Sequence, residues 1–264
     1  QNNVIEIENI KMQISLRSLI KDQFSIENLE ISTKAIIIKD LISFIRESYK
    51  NPELYILETI IKKGYLIGDL KFEFDEDGNI KDNYEINGFI KDTHLGILKK
   101  YNIDKLNLIF SLKKNDLRFN DIILSLNDST FSSDKIHIKD LKNKFLAEGD
   151  FSNKKYYLNN QFLELFTKSF TQKLNVEKIK FSSKNIFSFK FNKKFQFEDF
   201  NIISKIEIDE LLINKDYKLK KIFPKIKEKF KLNNQKLKIK YKKNNLSIIG
   251  EGNILIQNEN DFIK

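Results

Sequence analysis

The chain has two imidazoles, His94 and His137, far apart in its 264 residues. Neither lies in a metal-ligand spacing or beside a nucleophile elbow. His137 stands between Ile136 and Ile138, so strand alternation puts it on a polar face rather than in a site. The acidic run Asp75-Glu76-Asp77-Gly78-Asn79 resembles a calcium loop at first sight. Its glycine, however, comes fourth instead of sixth, and Ile86 occupies the twelfth position, where such a loop needs a bidentate glutamate. The run reads as a tight turn with Gly78 at positive φ. No cysteine is present, which excludes disulfides, thiolate metal sites and cysteine catalysis. No glycine-rich phosphate loop occurs, and the paired carboxylates fall on solvated strand positions. The expectation is therefore a non-enzymatic chain with no catalytic residue, no metal site and no cofactor.

What the chain does repeat is a strand phrase: apolar, two mostly polar residues, apolar, polar, apolar. It occurs as Ile7-Glu8-Asn9-Ile10-Lys11-Met12, Ile26-Glu27-Asn28-Leu29-Glu30-Ile31, Ile103-Asp104-Lys105-Leu106-Asn107-Leu108 and Val176-Glu177-Lys178-Ile179-Lys180-Phe181. A looser copy is Ile208-Asp209-Glu210-Leu211-Leu212-Ile213. The last positions alternate with period two, while the three-residue step before them shifts the phase as a β-bulge or strand junction does. Val and Ala are scarce and Phe appears 23 times, so Ile, Leu and Phe carry the apolar surface, as suits strands. A repeated β unit builds an extended surface, and an extended apolar surface needs something to cover it.

The formal net charge of +10 raises the question of nucleic acid, yet of 47 basic residues all but Arg17, Arg46 and Arg118 are lysine. Base and phosphate recognition leans on the guanidinium fork. Lys236, Lys238, Lys240 and Lys242 alternate with Leu237, Ile239 and Tyr241, the pattern of a solvated sheet face. No specific nucleic-acid partner is expected, and an anionic membrane surface is compatible with this pattern. No run approaches the roughly 20 apolar residues that span a bilayer, and no stretch of this sequence reads as a signal peptide. The chain opens on Gln1 directly into a strand pattern, so it reads as a fragment continuing at both ends, with any anchor outside it.

The periodicities predict a mainly β, α+β fold: a long curved and twisted antiparallel sheet forming a groove, with a helical hairpin and one or two further short helices. Residues 3–38 read as strands. Asp40 caps a helix over 40–49 with Leu41, Phe44 and Ile45 on one side. Pro52 opens a second helix over 52–63 with Leu54, Leu57, Ile60 and Ile61, stopped by Gly64. From Tyr65 alternation returns. Leu66, Leu70, Phe72 and Phe74 share a face, and so do Tyr84, Ile86 and Ile90. Further stripes are Leu106, Leu108, Phe110 and Leu112, then Leu117, Phe119, Ile122, Leu124 and Leu126 with a phase break at Asn120-Asp121. A helix is expected over 159–173 with Phe162, Leu165, Phe166 and Phe170, and a short one over about 221–231. Phe187, Phe189 and Phe191 form a phenylalanine stripe continued by Phe195 and Phe197. Residues 1–264 thus read as one repetitive domain with helical insertions at about 40–63, 159–173 and 221–231.

The stretches Phe24–Ile45, Lys63–Leu70 and Tyr84–Asp92, with Leu146-Ala147-Glu148-Gly149-Asp150-Phe151 and Ile249-Gly250-Glu251-Gly252, resemble the AsmA-like family of bacterial envelope proteins, close to its YhdP and TamB branches. The resemblance rests on pattern across most of the chain. It implies a taco-like β-groove anchored in the inner membrane by an upstream segment and reaching across the periplasm of a Gram-negative-type cell. The apolar interior would conduct phospholipid acyl chains toward the outer membrane, and proteins or surfaces of the two membranes would meet the ends of the full-length protein. The family carries no catalytic residues to transfer.

Three readings follow: a lipid conduit, a basic polyanion-binding module, and a structural β scaffold with a filled core. For the conduit, the groove candidates are Phe72, Phe74, Tyr84, Ile86, Leu108, Phe110, Phe187, Phe189 and Phe191, chosen by strand parity.

Overall fold

The computed structural model describes residues 5–15, 25–48, 52–75, 77–97, 101–126, 129–158, 176–192, 194, 196–214, 229–242, 245–256 and 259–263. Its strands are β1 (Ile7–Ile14), β2 (Ile26–Thr33), β3 (Ile36–Ile37), β4 (Ile61–Glu73), β5 (Glu85–Ile97), β6 (Tyr101–Lys113), β7 (Asp116–Leu126), β8 (Ser129–Asp140), β9 (Phe145–Leu158), β10 (Val176–Phe191), β11 (Phe197–Asn214), β12 (Lys229–Lys242), β13 (Asn245–Ile256) and β14 (Glu259–Ile263). Two helices, α1 (Ile38–Ser48) and α2 (Pro52–Ile60), lie between β3 and β4. The strands make one antiparallel sheet in the order β1-β2-β4-β5-β6-β7-β8-β9-β10-β11-β12-β13-β14, with β3 pairing β4, and the sheet is not closed into a barrel. Contacts divide the chain into two compact units, residues 1–147 and 148–264.

Every copy of the strand phrase contains the bulge its spacing predicts. The ladder skips one residue at Glu8, Glu27, Asp104, Glu177 and Asp209, each the second position of its phrase. In all five copies the residue at the bulge is acidic. A second set of phase shifts uses left-handed backbone: Asp92, Asp121, Asp199 and Asn234 have φ of 49°, 51°, 50° and 51° and each lies at a register shift. Asp and Asn tolerate that conformation better than other residues with a side chain. The break expected at Asn120-Asp121 is one of these.

The helical hairpin differs from its expected form in three ways. First, α1 starts at Ile38, ahead of Asp40, and buries Ile38 and Ile42, one turn apart; Phe44 and Ile45 remain 47% and 39% exposed. The run from Ala35 to Ile45 offers two apolar stripes, and packing against β4 selects the one that continues from buried Ile36. Second, α2 begins at Pro52 as expected but ends at Ile60, and Leu57 is exposed. Ile61 and Lys63 instead join β4 opposite Leu95 and His94, because pairing with β5 outweighs continued helix. Third, Gly64 does not cap the helix. It lies within β4 at φ 145° against Thr93. The hairpin is tied by Ser43 donating to Glu58 (2.8 Å) and by Arg46 to Glu58 (3.2 Å).

The expected helix over 159–173 lies outside the described residues, as does most of 221–231; Lys229–Lys231, at its end, are strand in β12. The Asp75 turn forms as read: Gly78 has φ 83°, and Asp75 Oδ1 accepts from the backbone N–H groups of Asp77 (3.0 Å) and Asn79 (2.8 Å).

Charged side chains pair across strands on one surface of each unit. Lys71 lies 3.8 Å from Glu30, and Glu85 pairs with Lys113. In the second unit Glu210 holds Lys231 at 3.1 Å and Lys178 at 3.6 Å. The hydrogen bond from Lys231, followed by the charges of Lys231 and Lys178, holds the Glu210 carboxyl below its ordinary pKa. Because the folded value is depressed, this stabilisation is present above the unfolded carboxylate pKa of about 4.3 and is lost as pH falls through the folded value. We therefore expect Glu210→Gln to cost about 0.5–1 kcal/mol at neutral pH and nothing below the folded value, measured by urea unfolding across pH. A deficit that persists undiminished in acid would contradict the assignment.

Candidate functional site

The bulge-corrected register puts one apolar row across seven strands of the first unit. Ile10, Ile31, Leu70, Ile86, Leu112, Leu117 and Ile138 follow one another from β1 to β8, each opposite the next. Beside it, Gly68, Gly88, Phe110, Phe119 and Ile136 form a second row. Phe110 lies over Gly88, where a Cβ would sit 2.9 Å from the ring Cζ. Ile36, Leu66, Ile90 and Leu108 form a third. The alternate positions carry the other surface: Lys11, Glu30, Lys71, Glu85 and Lys113.

The expected groove residues of this unit fall on the apolar face. Phe72 opposes Leu29, Ile86 opposes Leu70, Leu108 opposes Ile90, and Phe110 opposes Phe119. Phe74 makes an isolated bridge with Ile80 just beyond β4. Tyr84 precedes β5 with the parity of Ile86, and its hydroxyl donates to the Lys114 carbonyl at 3.4 Å.

In the second unit Phe187, Phe189 and Phe191 stand on one face of β10. Phe189 is the centre of a cluster, its ring centroid 5.7 Å from Phe187, 6.0 Å from Phe191, 5.4 Å from Phe197 and 5.8 Å from Phe200. Phe195 lies outside the described residues. The face continues through Ile202, Tyr241 and Leu246 in one row, and through Ile206 and Leu237 in another.

Strand parity also places polar residues here that the sequence reading did not single out. Ser183 and Asn185 have the parity of Phe181 and Phe187, and that parity was the signal. They satisfy one another on the apolar face: Ser183 donates to Asn153 Oδ1 (2.6 Å), and Asn185 donates to Ser183 Oγ (2.9 Å) and to the Phe151 carbonyl (2.8 Å). Buried polar groups need such partners.

Both faces are open to a degree unusual for a core. Among the described residues the buried apolar side chains are Ile36, Ile38, Ile42, Ile122, Phe131, Ala147 and Ile208. The row from Ile31 to Ile138 is half-buried, and Ile10 is exposed.

The chemical candidates stay apart. His137 lies on the charged surface opposite Arg118 with Nε2 2.6 Å from Asp116 Oδ1. A hydrogen bond from Arg118, then the neighbouring His137, depresses the Asp116 pKa. His94 pairs with Lys63 on another strand. Among the described residues no group of three or more His, Asp or Glu could hold a metal ion, and no helix is long and apolar enough to cross a membrane.

Fold and site together define a class: an open antiparallel sheet with an apolar and a charged surface in each unit. No protein-family model, no curated protein and no solved structure matches this chain.

Proposed function

We propose that the chain is a non-enzymatic protein of the bacterial envelope whose apolar face holds phospholipid acyl chains in transit between the inner and outer membranes. The observation that carries the reading is the row from Ile31 to Ile138: apolar on six adjacent strands, unbroken, and only half-buried. Acyl chains gain about 0.8 kcal/mol per buried methylene on such a surface. An apolar row without charge also lets a chain slide, because no contact singles out one stopping point. The resemblance to AsmA-like repeats supports the periplasmic setting and an inner-membrane anchor outside this chain.

The test is photo-crosslinking in cells from positions 72, 86, 110, 187 and 189, with positions 71 and 113 as controls on the charged surface of the first unit. Phospholipid adducts are expected at the first set and absent from the controls. Equal yields from both sets would overturn the proposal.

A further inference from the structure

Like charges face one another across three adjacent strands of the second unit. Lys184 of β10 sits opposite Lys205 of β11, and Lys205 sits opposite Lys238 of β12; all three are exposed. Directly opposed like charges destabilise a sheet, so this row costs the free protein stability that an anionic partner would restore. The neighbouring Lys240 is flanked by Ile203 and Ser247 rather than by a carboxylate. Acids on this face stand at both ends of the row: Glu207 and Glu251 both oppose Lys236, while Asp199 pairs with Lys190 and Glu148 accepts from Ser188. A depression of about 390 Å³ lies between the row of Lys205, Lys238 and Ile249 and that of Glu207, Lys236 and Glu251.

Isoleucines stand among these lysines. Ile186 and Ile203 oppose each other at 63% and 43% exposure, and Ile249, opposite Lys238, is 63% exposed. We propose that this face docks on an anionic lipid bilayer, with lysine ammonium groups among the headgroup phosphates and isoleucines in the boundary between headgroups and acyl chains. A single-stranded nucleic acid fits the face less well. It would reward aromatic stacking platforms beside the cations, and the aromatic residues Phe187, Phe189, Phe200 and Tyr241 occupy the opposite parity, while Tyr157 sits against Lys178 and Lys180, four and more residues along β10 from Lys184. Exposed isoleucines gain nothing from a phosphodiester strand. The inference uses the charged surface and stands apart from the acyl-chain reading of the apolar one.

The experiment is sedimentation of the whole chain with vesicles of mixed phosphatidylglycerol and phosphatidylcholine, against phosphatidylcholine alone, at low and high salt. Binding is expected to the anionic vesicles and to weaken with salt. The triple variant Lys184→Gln, Lys205→Gln, Lys238→Gln should lose about 5-fold per lysine, roughly 100-fold in all, and Ile186→Ser with Ile249→Ser about 10-fold or more. The charge-matched triple variant Lys11→Gln, Lys71→Gln, Lys113→Gln, on the charged surface of the first unit, should bind the vesicles as the parent does. Equal binding to neutral vesicles, an undiminished Lys184, Lys205 and Lys238 variant, or an equal loss in the charge-matched variant would overturn the proposal. Tighter binding to a single-stranded oligonucleotide than to vesicles, indifferent to the isoleucine substitutions, would overturn it in favour of a nucleic-acid surface.

Discussion

Phe110→Asp is expected to strip phospholipid from the protein. Phe110 lies on β6 over Gly88 and opposite Phe119, with Leu108 and Leu112 on the same face. A carboxylate there places a charge where an acyl chain would lie and where no cation faces it, and an unpaired charge in hydrocarbon is costly. Lipid recovered with the purified protein should fall at least about 10-fold, which corresponds to only about 1.4 kcal/mol. Losing the ring's packing at a half-buried site should also lower stability by about 2 kcal/mol. Phe89→Asp is the matched control: Phe89 is one residue from Gly88, opposes Ile109 on the charged surface and is 40% exposed. It should leave bound lipid unchanged. If the two variants retain lipid equally, the apolar face is not the binding surface.

Gly64→Ala is expected to cost about 3 kcal/mol, the sum of backbone strain and overpacking. Gly64 has φ 145°, and a Cβ there would overlap Thr93 Oγ1 and sit 2.8 Å from Thr93 Cβ and 2.9 Å from its Cα. Thr93 is buried at 2% exposure, and because its Cα is among the crowded atoms, relief requires β5 itself to shift. Urea unfolding of the single variants and of Gly64→Ala with Thr93→Gly separates the two costs. The double variant should recover the overlap and keep the strain, giving a coupling of about 1 kcal/mol or more. A single-variant loss under about 0.5 kcal/mol would show that the junction is slack.

The phase shifts were legible where an apolar residue marks both sides of the step. Glu8, Glu27, Asp104, Glu177 and Asp209 each follow an apolar residue and precede another two places on, so the extra slot could be counted from side-chain type alone. Asp92 and Asn234 were not legible, because their neighbours Lys91, Thr93, Asn233 and Gln235 blur the alternation. The helix ends are hidden in the sequence for a different reason. Ile60 and Ile61 continue a helical apolar stripe, and only the partners Leu95 and His94, far along the chain, make Ile61 and Lys63 strand. Composition also hid Ser183 and Asn185, since polarity assigned them outward while position turned them toward the phenylalanine face.

The sheet order has a consequence for how the molecule comes apart. Apart from the excursion through α1 and α2, strands pair with their neighbours in sequence, so few pairings must close a long loop before they gain stability. Folding can then begin at any hairpin and spread by single-strand steps, and loss of one strand pair need not melt those several strands away. Unfolding in such a ladder is graded, with a separate free energy for each stretch. Hydrogen exchange would read that gradient strand by strand, where one melting temperature would average it away.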